Sequence, residues 1–298
     1  MFDRPVAIRI KVDEPLPHEL RRMAREQLEE ARDAAADSRR ALAERVHEVR
    51  TSMKKVRALN RLVRPAVGQR ARRADRRLRK IAHSVSALRD AEVVLKAFDH
   101  AVGRWRAALA PIRSRLAAHL RDEARAFHEQ GLDRRLRSDL AHERRQVETW
   151  IPKAHGWSAI GEGLTRGYRR AREAMDAAYR SETGDDFHAW RRAVKAHRHH
   201  MAALETMAPG RMKARVDELD RLGDLLGDEH DLTVLEGTIG AELSQLADRR
   251  PGDHLLQRIA QRRAQLRRRA RPLGKRLFAE RPSAFRDRVR GYFRAARS

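Results

Sequence analysis

A chain of 298 residues has room for two domains of roughly 150 residues, each large enough for its own hydrophobic core. Lys and Arg number 67 against 42 Asp and Glu, giving a formal charge of +25, and with only nine lysines the excess is overwhelmingly arginine. That balance calls for an anionic partner (nucleic acid, another polyphosphorylated polymer or an anionic membrane surface), while the lack of cysteine excludes disulfides, thiolate nucleophiles and thiolate metal sites.

Residues 1–16 read as a short extended lead, with Val6, Ile8, Ile10 and Val12 alternating ahead of Pro15 and Pro17. The lead has no apolar core of signal-peptide length, and no stretch approaches the roughly 18 apolar residues of a membrane span, so a soluble cytoplasmic protein is expected. From there the periodicity is helical. Helices are expected at 18–44, 45–65, 69–86, 89–103, 110–130 and 132–150, then at 158–181, 185–207, 211–227, 230–247, 252–278 and 282–297. Pro65, Gly68, Pro111, Gly131, Gly184, Pro209-Gly210, Pro251-Gly252 and Pro282 mark their ends. Aromatics are only 5% of the chain and no hairpin dipeptide separates alternating segments, so the expected fold is all-α, with short links joining antiparallel neighbours. The segment Trp150 to Gly156 is the expected boundary between a first bundle, 1–150, and a second, 151–298.

One basic pattern occurs twice at an offset of 141. It reads His47, Arg50, Lys54 and Arg57 in the second helix and His188, Arg191, Lys195 and Arg198 in the eighth. Steps of three, four and three place each set within an arc of roughly 80°. Opposite the stripes lie Val49, Met53, Val56 and Val63, and correspondingly Trp190, Val194, His197 and Leu204, so each helix has one side for a core and one for an anion. A solvated basic face would explain either copy alone, but not the recurrence of the same residue types. The same offset pairs Arg25 with Arg166, Asp90 with Asp231 and Arg121 with Arg262. An internal duplication is therefore expected, with two pseudo-twofold-related bundles able to bring their stripes face to face across a shared groove. Arg61 extends the first stripe. The third helix adds a basic side that includes Arg73 and Lys80; its partner keeps Arg221 but inserts Asp217, Glu218 and Asp220, which predicts weaker anion binding there.

The paired His-x-x-Arg-x-x-x-Lys-x-x-Arg helices, each followed about 40 residues later by Arg89-Asp90 or His230-Asp231, resemble the CHAD domain, the conserved histidine α-helical domain. Leu226-Gly227-Asp228-Glu229-His230-Asp231-Leu232 is similar to that family's Leu-Gly-x-x-Arg-Asp-Leu segment, with His230 in place of arginine; in the first half Ser86 stands at the glycine position. The resemblance implies basic faces lining a shared groove or pore, binding of inorganic polyphosphate and, for some members, association with polyphosphate granules. It would make His47, Arg50, Lys54, Arg57, His188, Arg191, Lys195 and Arg198 binding residues. Where an attached CYTH domain would show Glu-x-Glu-x-Lys, the sequence has Ile8-Arg9-Ile10-Lys11-Val12, so that catalytic companion is not expected.

Residue chemistry favours binding over catalysis. Polyphosphate demands closely spaced cations and little else; sequence-blind nucleic-acid binding is the alternative, but few aromatics lie near the stripes to stack on bases. Trp190 falls on the apolar face and is expected in the core. His197, His199 and His200 cluster within a turn, yet adjacent arginines and the lack of a carboxylate at ligand spacing argue against a metal there. Asp90 and Asp231 read as caps or ion-pair partners more readily than as acids of catalysis. No cofactor and no enzymatic activity are expected. Among the stripe residues only the histidines have an unperturbed pKa near neutrality, so they are expected to carry any pH dependence.

Overall fold

Amphipathic periodicity turns almost the whole chain into helix in the computed structural model, which describes residues 8–243, 246 and 248–298. Val6 of the lead and part of the expected 230–247 helix lie outside the described residues. The helices are α1 (Leu16–Ala36), α2 (Leu42–Val67), α3 (Gln69–Ser84), α4 (Ser86–Ala101), α5 (Ala110–Glu129) and α6 (Leu132–Gln146), then α7 (Gly161–Ser181), α8 (Gly184–Ala203), α9 (Pro209–Leu243), α10 (Arg250–Leu277) and α11 (Pro282–Ala295). Short 3-10 turns link several of them, and no strand occurs among the described residues.

Two boundaries depart from the sequence expectation. The helix expected at 18–44 ends at Ala36, because Asp37 turns the chain: its carboxylate accepts from the Arg39 N–H, and the Arg40 N–H bonds its carbonyl. The helices expected at 211–227 and 230–247 are one 35-residue helix, α9, which runs through the buried Gly227 without a break. An isolated glycine costs a helix only about 1 kcal/mol, less than the packing of one buried leucine returns, and Leu226 on its N-terminal side is 1% exposed. The matching stretch of the first half does break, at Val85 between α3 and α4.

Packing follows the predicted faces. Val49, Met53, Val56 and Val63 of α2, and Trp190, Val194, His197 and Leu204 in and just after α8, are all at 0% exposure. Burying such a side chain is worth roughly 1.5–3 kcal/mol, against a few tenths for each like-charge pair on the opposite face, so the basic stripes are affordable to the fold. The main core runs from the lead to α11 and draws on both halves of the chain. Ile8 and Ile10 are buried in it, Ile10 bonding the Ala203 carbonyl at 3.0 Å, so the lead is stitched to the end of α8. A second core joins Val94, Phe98, Leu109 and Ile112 of the α4–α5 region to Leu235, Ile239, Leu255 and Ile259 of α9 and α10. Between the halves, α7 lies against α2 so closely that a Cβ on Gly163 would stand 1.7 Å from the Leu62 carbonyl oxygen. No other residue fits there.

Candidate functional site

α2 and α8 pack against each other, and at their contact His200 Nε2 meets the Ala58 carbonyl oxygen at 3.0 Å. The contact brings parts of the two stripes together. Lys54 lies in the field of Arg191 and Lys195 from α8, of Arg50 one turn away, and of Arg89 from α4. Lys54 is exposed to solvent. The surrounding protein and then those four cations push it down to about 7. Arg191 and Lys195 are also held below their ordinary values, chiefly by burial. Arg191 Nε is buried without a hydrogen-bond partner. It lies 3.9 Å from where a Cβ on Gly227 would project, an ordinary contact distance, so Arg191 packs against α9 at the Leu-Gly segment.

The other stripe residues divide by their partners. Arg50 pairs with Asp90 at 3.8 Å, and Asp231 is the carboxylate whose field acts on Arg191; both aspartates stand inside helices, α4 and α9, not at their caps. Burial raises both carboxyls above their ordinary values. Arg57 donates to Asp75 at 3.0 Å, and Arg198 grips Asp220 through two bonds of 2.7 and 2.8 Å. His188 Nδ1 lies 3.0 Å from His230 Nδ1, so one ring must donate to the other. Burial, then Arg192 and Arg191, push His188 down to about 4; burial and His188 push His230 to about 3. His47 is lowered by partial burial and by Arg89. His188 is therefore a poor carrier of a charge change between pH 6 and 8 in the unliganded protein.

Beyond Lys54 the first stripe continues through Arg57, Arg61 and Arg64 into a cavity of about 610 Å³ between α2, α3, α7 and α8. Seven arginines line it, with Arg79, Arg166, Arg170 and Arg192 completing the set, against a single carboxylate, Asp75. Asp75 is shared by Arg57, Arg64 and Arg79. Burial, then Arg57, with Arg170 and Arg64 adding to it, push Arg61 down to about 10.

Three expected site residues stand apart. Arg73, Lys80 and Arg221 are exposed. On α3, Asp75 faces α2, and Arg73 and Lys80 lie roughly 140–160° around the helix from it. On α9, Arg221 lies roughly 160° from Gly223, the residue against Lys195. Conversely, Arg64, Arg89, Arg170 and Arg192 join the basic site; Arg64 has a legible signal in the next three-residue step of the α2 stripe and Arg89 in the Arg-Asp step that follows that helix, whereas Arg170 and Arg192 have none. The histidine cluster is structural: His197 and His200 are at 0% and 2% exposure, with His197 beside Tyr168, Phe278 and Phe285. Among the described residues no group of three or more His, Asp or Glu side chains could hold a metal ion.

A family model described as the CHAD domain matches residues 22–240. The chain belongs to the CHAD domain family. A search of curated proteins found no match. Among solved structures, the crystal structure of the CHAD domain from the plant Ricinus communis superposes with a TM-score of 0.62 at 18% identity, covering 98% of this chain and 96% of that one. The all-α CHAD fold therefore extends over nearly the whole chain. Among the described residues no helix is long and apolar enough to cross a membrane.

Proposed function

We propose that this CHAD protein binds inorganic polyphosphate, without chemical turnover, along a basic track in which Arg50, Lys54, Arg191 and Lys195 lead into the arginine cavity around Arg61. The observation that carries the reading is the convergence on Lys54 of four cations from three helices. Such a cluster is unfavourable in the free protein, and a chain of phosphates relieves it at every step. Polyphosphate binding is associated with the CHAD family, which supports the same ligand. A base-free chain also suits walls made of guanidinium and ammonium groups without aromatic stacking platforms. The duplication, the division into bundles at 1–150 and 151–298, and association with polyphosphate granules belong to this reading.

The test is competition at one fixed salt concentration near physiological. Long-chain polyphosphate should displace single- and double-stranded nucleic acid at equal phosphate concentration, and its affinity should fall steeply with added salt as bound counterions are released. Equal or tighter binding of DNA or RNA would replace the polyphosphate reading with sequence-blind nucleic-acid binding.

A further inference from the structure

A second cavity lies outside the arginine cavity and has a different chemistry. It holds about 920 Å³ between α4, α9 and α10, within the range of small-molecule sites. Its floor is apolar and built from small or flat-packing side chains: Val93, Ala97 and Ala101 of α4, Leu232 of α9 and Ile259 of α10. Bare inorganic phosphate would gain nothing from that floor.

The polar groups are sorted by end. Arg267 of α10 bonds Glu229 of α9 at 2.6 Å, which sets the register of the two helices and places Arg268 near Asp228 and Asp231. That end carries both carboxylates of the lining, with Arg89 beside Asp231. At the other end Arg258 rests on Gly103, just after α4; Gly103 has φ +53, and a Cβ there would come within 2.3 Å of the guanidinium. Arg258, with Arg262 one turn on and Lys96 from α4, makes an end whose lining has cations and no carboxylate. Arg262 is held by Gln265 at 2.6 Å, and Lys96 by Glu92 at 2.6 Å. Among the described residues Arg258 has no hydrogen-bond or ion-pair partner.

We propose that this cavity binds a nucleoside polyphosphate, its base and ribose over the apolar floor toward Asp228 and its phosphates at Arg258 and Arg262. A carboxylate accepts hydrogen bonds from ribose hydroxyls or an exocyclic amine, the Gln261 amide can both donate to and accept from a base edge, and the guanidinium pair suits phosphate oxygens. The cavity shares Arg89 with the cations around Lys54, but the groups assigned to the nucleotide, Asp228, Arg258 and Arg262, lie outside the proposed polyphosphate track, so variants at Arg258 and Arg262 separate the two readings.

Calorimetric titration at physiological salt with ATP, inorganic triphosphate and adenosine tests it. ATP should bind one to one and at least tenfold more tightly than triphosphate, with adenosine weaker than both. Ala97→Trp, which fills the floor, should abolish the advantage of ATP while leaving triphosphate unchanged. Arg258→Glu with Arg262→Glu, both at exposed positions, should weaken ATP at least tenfold and leave long-chain polyphosphate within twofold. Equal affinities for ATP and triphosphate overturn the proposal, as does a folded Ala97→Trp protein that keeps the ATP advantage. If circular dichroism shows that variant unfolded, unchanged ATP affinity in the arginine pair overturns it instead.

Discussion

The second half of α2 and the second half of α8 begin from the same basic pattern and end in opposite electrostatic states. Past Lys54, α2 presents Arg57, Arg61 and Arg64 to a cavity where seven arginines share Asp75. Past Lys195, α8 presents only Arg198, held by both oxygens of Asp220, and its next stripe positions are Ala202 and then Glu205. Beside it Lys55 faces Glu30 at 3.7 Å. A repeated stripe thus fixes where cations stand, but the neighbouring helices decide whether they remain available. α7 and α8 bring arginines to the α2 end, whereas α1 and α9 bring carboxylates to the α8 end.

The sharpest way to break this contrast is charge reversal at the two ends. Arg61→Glu with Arg170→Glu should lower affinity for long-chain polyphosphate by about 100-fold, roughly 2.8 kcal/mol, the scale of one or two lost charge-assisted contacts. Arg198→Glu should cost less than about fivefold, since Asp220 already neutralises that guanidinium. Both variants must first keep their helicity by circular dichroism. Equal losses in a filter-binding titration would abolish the asymmetry.

Next in size is the pH dependence, which the structure moves from the histidines to Lys54. With its free value near 7, Lys54 loses charge as pH rises from 6 to 8, and bound phosphates favour the charged form. Affinity should therefore rise roughly tenfold from pH 8 to pH 6, with proton uptake on binding. Lys54→Arg should flatten the profile; His47→Gln with His188→Gln should leave most of it, because His188 is pushed to about 4 and is neutral throughout. The unliganded fold shows the matching sign. Below the ordinary lysine value of 10.5 the unfolded chain holds this proton more tightly, so the Lys54 contribution to stability increases from pH 7 toward pH 10. Retention of the full binding profile in Lys54→Arg would return the role to the histidines.

A gain of binding sharpens the comparison from the other side. Asp220→Asn should release Arg198 and tighten long-chain polyphosphate by two- to fourfold, while leaving the melting temperature nearly unchanged, as for a partly exposed ion pair. Weaker binding would mean that Asp220 orients Arg198 for the ligand instead of competing for it. The smallest effect is expected where the stripe logic overreached: Arg73→Ala, Lys80→Ala and Arg221→Ala should each stay within twofold of the unaltered protein in the same titration. A larger loss from any of them would extend the track onto the outer face of α3 or α9.

The all-α class, most helix positions and both apolar faces were legible because they depend on spacing along one helix. Val49 and Trp190 are fully buried and Arg50 and Arg191 only half-buried for the same reason: each residue advances by about 100°. The α9 break was misread because Gly227 looks like a terminator in isolation, whereas packing against Arg191 and a continuous apolar face keep the helix whole. The turn at Asp37 was missed since a local side-chain bond to the Arg39 N–H, not a glycine or proline, interrupts the periodicity.

By itself the sequence determined the cationic character, the helical architecture and the two stripes, all of them consequences of composition and of order along the chain. Only the tertiary structure decided which cations act together. Arg170 and Arg192 join Arg61 because α7 and α8 pack against α2, while Asp75 and Asp220 draw Arg57 and Arg198 into pairs. Lys54 is pushed down to about 7 by the protein packed around it and then by cations that include Arg191 and Lys195, from a helix more than 130 residues away in sequence. Electrostatic energy depends on distance through space and on the protein that displaces water around each charge, and neither quantity is written in the spacing of residues along one helix.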